Sequence, residues 1–164
     1  MNRIVMLAIT ALTIGIASPV AAVAQSAKDF VGTWTLISAI SERDGNKSDT
    51  FGPNAKGVLM FDANGHYTIT FIGSNLPKFA SNNRASGTPD ENKAVVGSSL
   101  AHFGTYVVNE ADKSLTYRIE SATFPNWNNT DQKRSFVMTG DELKYTVPAG
   151  SAGGTGAVTW KRAK

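Results

Sequence analysis

The 164-residue sequence contains no cysteine and only two histidines. The first absence excludes a disulfide framework, so the fold must rest on an ordinary hydrophobic core, which a chain of this length can supply as one domain. The two together argue against a zinc or copper centre built from protein ligands. Charge is also scarce and balanced, sixteen basic against thirteen acidic residues for a net +3, and it is spread along the chain. Such a balance lacks the basic stripe that nucleic-acid binding requires. Missing too are a G-x-S-x-G elbow, a Walker loop and a glycine fingerprint between a strand and a helix. Gly153-Gly154-Thr155-Gly156 precedes a terminal strand and has no helix with which to present a phosphate. No metal, no cofactor and no nucleic-acid partner are expected.

What is present begins with a leader. Met1-Asn2-Arg3 is a short basic region, residues 4–17 are an apolar core, and Ala22-Val23-Ala24 supplies an A-x-A cleavage site. The apolar run is short for a membrane anchor and is followed at once by Ser18-Pro19. Residues 1–24 therefore read as a signal peptide and 25–164 as one exported domain, periplasmic or secreted, without a stable membrane anchor and expected to be a monomer. Losing Arg3 with the leader takes the net charge from +3 to +2.

From Phe30 onward, short apolar runs alternate with turn signals. The first strand starts near Phe30 and carries Trp34, Leu36 and Ile40 on one parity, with Val31 and Ile37 on the other, and ends at Asp44-Gly45. After a polar crossing through Phe51-Gly52-Pro53-Asn54, residues 57–61 and 66–72 form strands joined around Asn64-Gly65, a favoured hairpin dipeptide. Further strands follow at 103–108, 115–120, 134–139, 143–147 and 157–162, the last after a glycine-rich link. No internal repeat and no second domain is present.

Eight strands, mostly joined to their neighbours, suggest an all-β, antiparallel up-and-down barrel, since closure removes the exposed edges. A barrel of about eight strands is just wide enough to be filled by side chains or to hold one small ligand. The expected inward set is Trp34, Leu36, Tyr67, Ile69, Phe71, Tyr117, Ile119, Phe136, Met138, Leu143, Tyr145 and Trp160, apolar, aromatic and free of carboxylates.

Strand rhythm stops over residues 73–101, an insert of almost thirty residues, a length uncommon in compact domains unless functional. Within it Thr88-Pro89-Asp90-Glu91 combines a cap residue, proline at the first helical position and a capping-box glutamate, which predicts one short helix from Pro89 to about Leu100. The insert thus places that helix between strands 3 and 4. Apolar anchors at Leu76, Phe79, Val95, Val96 and Leu100 would press it onto the open barrel end as a lid.

Gly32-Thr33-Trp34 resembles the Gly-x-Trp signature of lipocalin and calycin barrels, and Arg162 resembles their closing basic residue. More specifically, Leu76-Pro77-Lys78-Phe79-Ala80-Ser81-Asn82-Asn83-Arg84, Gly87-Thr88-Pro89 and Ala101-His102-Phe103-Gly104-Thr105-Tyr106 are similar to the bacterial lipocalin-like domain family. With Asp49-Thr50-Phe51-Gly52 and Thr123-Phe124-Pro125-Asn126-Trp127, the resemblance covers essentially the whole chain after the leader. It implies a barrel in which Trp34 packs across the floor under the Arg162 guanidinium, beside Gly32. It implies no particular activity.

Candidate site residues follow. His102, after the helix, could serve as acid or base with Tyr106 on the same strand face, or could simply bond a loop carbonyl. Arg84 could clamp a carboxylate or phosphate, or pair with Asp90 or Glu91. Phe79, Phe124 and Trp127 could line a ligand entrance, or pin their loops. Three readings stay open: a barrel that binds a small apolar or amphipathic molecule, an isomerase or cyclase using His102 and Tyr106, and a filled barrel acting through its surface.

Overall fold

A computed structural model describes residues 26–164, so the expected leader lies outside the described residues. Nine strands form one antiparallel sheet: β1 (Gly32–Arg43), β2 (Asn46–Asp49), β3 (Lys56–Phe61), β4 (His66–Ile72), β5 (Ser99–Asn109), β6 (Ser114–Ala122), β7 (Thr130–Thr139), β8 (Glu142–Val147) and β9 (Thr155–Arg162). They pair in the order β2-β1-β3-β4-β5-β6-β7-β8-β9, and a further pairing of β1 with β9 closes the ring. Eight strands make the barrel. The extra strand, β2, is a flap that pairs only with the far half of β1. A short helix, α1 (Ala27–Phe30), precedes β1, and α2 (Pro89–Gly97) lies between β4 and β5.

Two features depart from the sequence expectation for physical reasons. Residues 46–49, an exposed Asn-Lys-Ser-Asp run without alternation, form a strand because the Asp44-Gly45 turn folds them back onto β1; their presence puts α2 after the fourth strand, not between strands 3 and 4. The helix also stops at Gly97, and β5 begins at Ser99, so Leu100 belongs to the barrel wall. The mixed parity of β1 has its cause in a register shift between Leu36 and Ser38 against β9. A bulge adds one residue to one strand and turns every later side chain to the opposite face. Ile37 sits at the bulge, 52% exposed, and beyond it Ala39 rather than Ile40 enters the core.

The barrel floor is closed by α1 and β9. Phe30 is fully buried between Phe61 and Phe136, with ring centroids at 5.6 and 4.9 Å in edge-to-face contact. The Trp34 indole N–H donates to the Phe30 carbonyl at 2.8 Å. Above the indole, the Arg162 guanidinium carbon sits 4.1 Å from the ring centroid, and its two terminal nitrogens donate to the carbonyls of Val31 at 2.9 Å and Asp29 at 2.5 Å. Gly32, at φ +126°, passes so close beneath that a Cβ there would lie 3.3 Å from the arginine. Of the expected inward set, Leu36 is half-buried and the others are buried.

The insert is tethered to the outside of this barrel. Its neck closes where the Gly73 N–H donates to the Ser98 carbonyl at 2.7 Å. Thr88 and Glu91 form the expected capping box, and Glu91 also accepts from the Ala80 N–H at 2.8 Å, bonds that hold its carboxyl below the usual range. No residue of α2 is buried, and Val96 is 78% exposed.

Trp34→Ala is expected to cost about 3–5 kcal/mol, as a large aromatic removed from a packed core. Arg162→Ala should cost less, about 1–2 kcal/mol, through lost stacking and packing. Urea unfolding of both variants checks the order, and equal midpoints for wild type and Trp34→Ala would contradict the floor just described. Thr88→Ala should lower stability by about 1 kcal/mol. Its faster amide exchange should be confined to the insert and leave the barrel strands protected.

Candidate functional site

With the floor packed, space remains at the other end of the barrel. A cavity of about 50 Å³ lies there, lined on its apolar side by Ala39, Phe51, Phe71, Leu100, Val147 and Val158. His102, Trp127 and Arg134 also line it, and the link 148–154 roofs it through Gly150, Ser151, Ala152 and Gly153. The link is held down by Arg43, whose guanidinium donates to the Ala152 carbonyl. Its glycines are required: Gly154 has φ +73°, and a Cβ there would meet the Glu42 carbonyl oxygen at 2.4 Å. Beside the cavity a surface pocket of about 260 Å³ runs between the end of α2, Phe124 and the link. The two share Thr50, Phe51, Leu100, Ser151 and Ala152, so they adjoin across a common wall.

Arg134 dominates the electrostatics. It is 4% exposed, the only charged side chain among the buried described residues. Its strand alternates strictly, so Arg134 points inward with Phe136 and Met138. The guanidinium carbon lies 5.2 Å from the Tyr117 ring centroid and 5.1 Å from that of Tyr145, and one terminal nitrogen donates to Gln132 Oε1 at 2.7 Å. Among the described residues no carboxylate pairs with it, and its Nε has no partner. The Tyr117 and Tyr145 hydroxyls and the Trp160 indole N–H are likewise buried without a hydrogen bond. Tyr145 lies near enough to Tyr117 and Trp160 to feel their dipoles, yet short of hydrogen-bond geometry. Burial pushes both tyrosines up, so they stay protonated.

His102, 3% exposed, is placed by β5 between Tyr67 and Trp127. Its Nδ1 shares a hydrogen bond of 2.8 Å with the Tyr67 hydroxyl. Burial, and then the nearby Arg134 charge, push the imidazole down to about 3. At neutral pH it is an uncharged, hydrogen-bonded ring.

The other candidates fall in different places. Trp127 lines the cavity and Phe124 the outer pocket, and their rings meet edge to face at 5.6 Å. Tyr106 lies at the floor, where its hydroxyl donates to the Asp62 carbonyl at 3.0 Å and its ring packs on Phe61, so it does not share a space with His102. Phe79 folds back on Gly87 inside the insert, where a glycine Cβ would clash with its ring at 2.4 Å. Arg84 stands exposed on the turn Arg84–Ser86; neither lines the cavity. Sequence reading passed over Arg134, although its two-residue spacing from Phe136 and Met138 was the available signal.

Residues 31–163 match the family model of the lipocalin-like domain. None of the curated proteins matches the chain. Among solved structures, an uncharacterized protein from Bacteroides eggerthii DSM 20697 is similar at 16% identity and a TM-score of 0.44, over 81% of this chain and 99% of that one.

Because His102 is held neutral when folded but titrates near 6.5 when unfolded, the unfolded chain binds the extra proton first as pH falls. Stability should therefore be full above about pH 6.5 and decline as pH drops toward the folded value of about 3. Comparing urea midpoints from pH 7 to 4.5 checks this, because that window precedes most carboxylate protonation. His102→Gln should flatten the slope, and an unchanged slope would mean that His102 is not the group responsible.

Proposed function

This chain belongs to the lipocalin-like domain family, and we propose that it is an exported binding protein that takes one small apolar or amphipathic molecule into the upper end of its barrel. The observation that carries this reading is an apolar interior cavity separated from an outer pocket only by a common wall of Thr50, Phe51, Leu100, Ser151 and Ala152. Concave, mostly apolar spaces with a few convergent polar groups are the usual form of small-molecule sites. Apolar side chains supply the driving force, and removing a ligand's apolar surface from water yields about 25 cal/mol per Å². His102, Trp127 and Arg134, with the hydroxyl residues Ser41, Thr50, Ser151 and Thr155, are the polar or amphipathic groups lining the space.

At about 50 Å³ the interior cavity admits only a slender group, whereas drug-sized ligands need several hundred Å³. Uptake therefore involves the outer pocket, with the glycine link 148–154 giving way around its Arg43 tether. Export through the leader at 1–24 would put such a carrier where it meets external or envelope molecules. A small volume is also what a filled barrel acting through its surface would have, and uptake separates the two readings.

Titration of the mature chain with decanol or a fluorescent apolar probe should saturate at one site. Trp127 lines the cavity while Trp34 and Trp160 are fully buried, so the accompanying change in tryptophan emission should disappear in Trp127→Phe. Absence of saturable uptake, together with no co-purifying molecule in native mass spectrometry, would leave the filled barrel as the correct reading.

A further inference from the structure

Resting on that reading of the barrel as a carrier, we propose that Arg134 receives the carboxylate of the bound molecule, so that the ligand is a monocarboxylic acid on an apolar chain. The guanidinium lines the cavity, is 4% exposed, and has no acidic partner among the described residues. A buried cation in this state lacks a counter-charge, and charges taken out of water without one are expensive. The tyrosine faces beneath it and the single bond to Gln132 offset part of that cost. They supply no negative charge.

The unsatisfied atoms specify what is missing. An arginine Nε–H can only donate, so the unpartnered Nε of Arg134, on a residue that lines the cavity, calls for an acceptor. His102 also lines the cavity, with its Nδ1 engaged by the Tyr67 hydroxyl. The polar end of the space thus carries one net positive charge, on a group that can only donate.

A carboxylate matches this in charge, in its planar pair of acceptor oxygens and in size. A phosphate dianion would leave an uncompensated negative charge in a wall of Phe51, Phe71, Leu100, Val147 and Val158. The same apolar wall continues past Leu100 toward Phe124 and Val96, a path for an alkyl or isoprenoid tail. Arg84 stands on the exposed turn of the insert, so the acid-clamping role suggested for it by sequence fits Arg134 instead.

The test compares decanoate with decanol on the mature protein at pH 7.5, by calorimetry or competition against an apolar probe. The acid should bind about ten- to a hundredfold more tightly than the alcohol, the range expected for charge-assisted hydrogen bonds. Arg134→Met should remove that preference, so that decanoate and decanol bind the variant about equally, and Arg134→Lys should keep part of it. Decanol binding serves as the folding control. Should Arg134→Met not fold, carboxyl-labelled decanoate bound to the wild type answers the same question, since its ¹³C resonance should remain that of the ionised form well below the pH at which the free acid protonates. Equal affinities for acid and alcohol in the wild type would overturn the headgroup assignment and leave the carrier reading standing. Displacement of decanoate by millimolar inorganic phosphate would overturn the choice of a carboxylate. Binding of neither decanoate nor decanol would remove both.

Discussion

The stacking of Arg162 on Trp34 is the contact on which the barrel depends. It joins the last strand to the first at the one place where a sheet of this order must close, and its two main-chain hydrogen bonds pull α1 across the opening. Phe30 is thereby driven into the space between β3 and β7, where it completes an aromatic layer with Phe61 and Phe136. A floor packed in this way fills that end of the interior with side chains. Whatever space the barrel retains is displaced to the opposite mouth, among strand ends and loops. Closure chemistry and the location of the cavity are therefore one constraint seen from two sides.

Much of this was legible. Alternation in 66–72 and 115–120, the Asn64-Gly65 hairpin and the Gly32-Thr33-Trp34 signature each carry their structure locally, because period two and a positive-φ turn leave few alternatives. The capping box at Thr88 and Glu91 is likewise a local device. What escaped depends on partners distant in the chain. Residues 46–49 have no strand pattern of their own and pair only because β1 runs on beyond β3. The bulge at Ile37 arises from the β1–β9 register and cannot be placed from β1 alone.

The insert and the glycine link exchanged roles for a related reason. Apolar residues in the insert suggested a lid, yet Phe79 packs within the insert itself and Val96 is left exposed, because the short helix buries none of its residues. The link, with nothing but small residues, looked like a mere connection. Small residues are what allow it to cross closely over Glu42 and Arg43, so it, and not the insert, covers the cavity. His102, Phe124 and Trp127, which line the cavity or the outer pocket, were among the sequence candidates because aromatic and imidazole groups announce themselves. Arg134 was not, because an arginine on a strand reads as solvent-facing unless its parity is weighed above its polarity.

Arg134 also fixes what its neighbour can do. Desolvation alone disfavours a charged imidazole, and a guanidinium close by adds a like charge, so His102 is neutral throughout the physiological range. A group held near 3 accepts protons poorly at neutral pH, which argues against His102 as a general base in the unliganded barrel. An aliphatic side chain at position 134 would fill the same space without the desolvation penalty, and replacing buried charges in this way is often neutral or stabilising. Core stability therefore does not account for an arginine here. On the proposal that the barrel carries an acid, a negative charge brought by the ligand completes the interactions that the chain leaves open at Arg134.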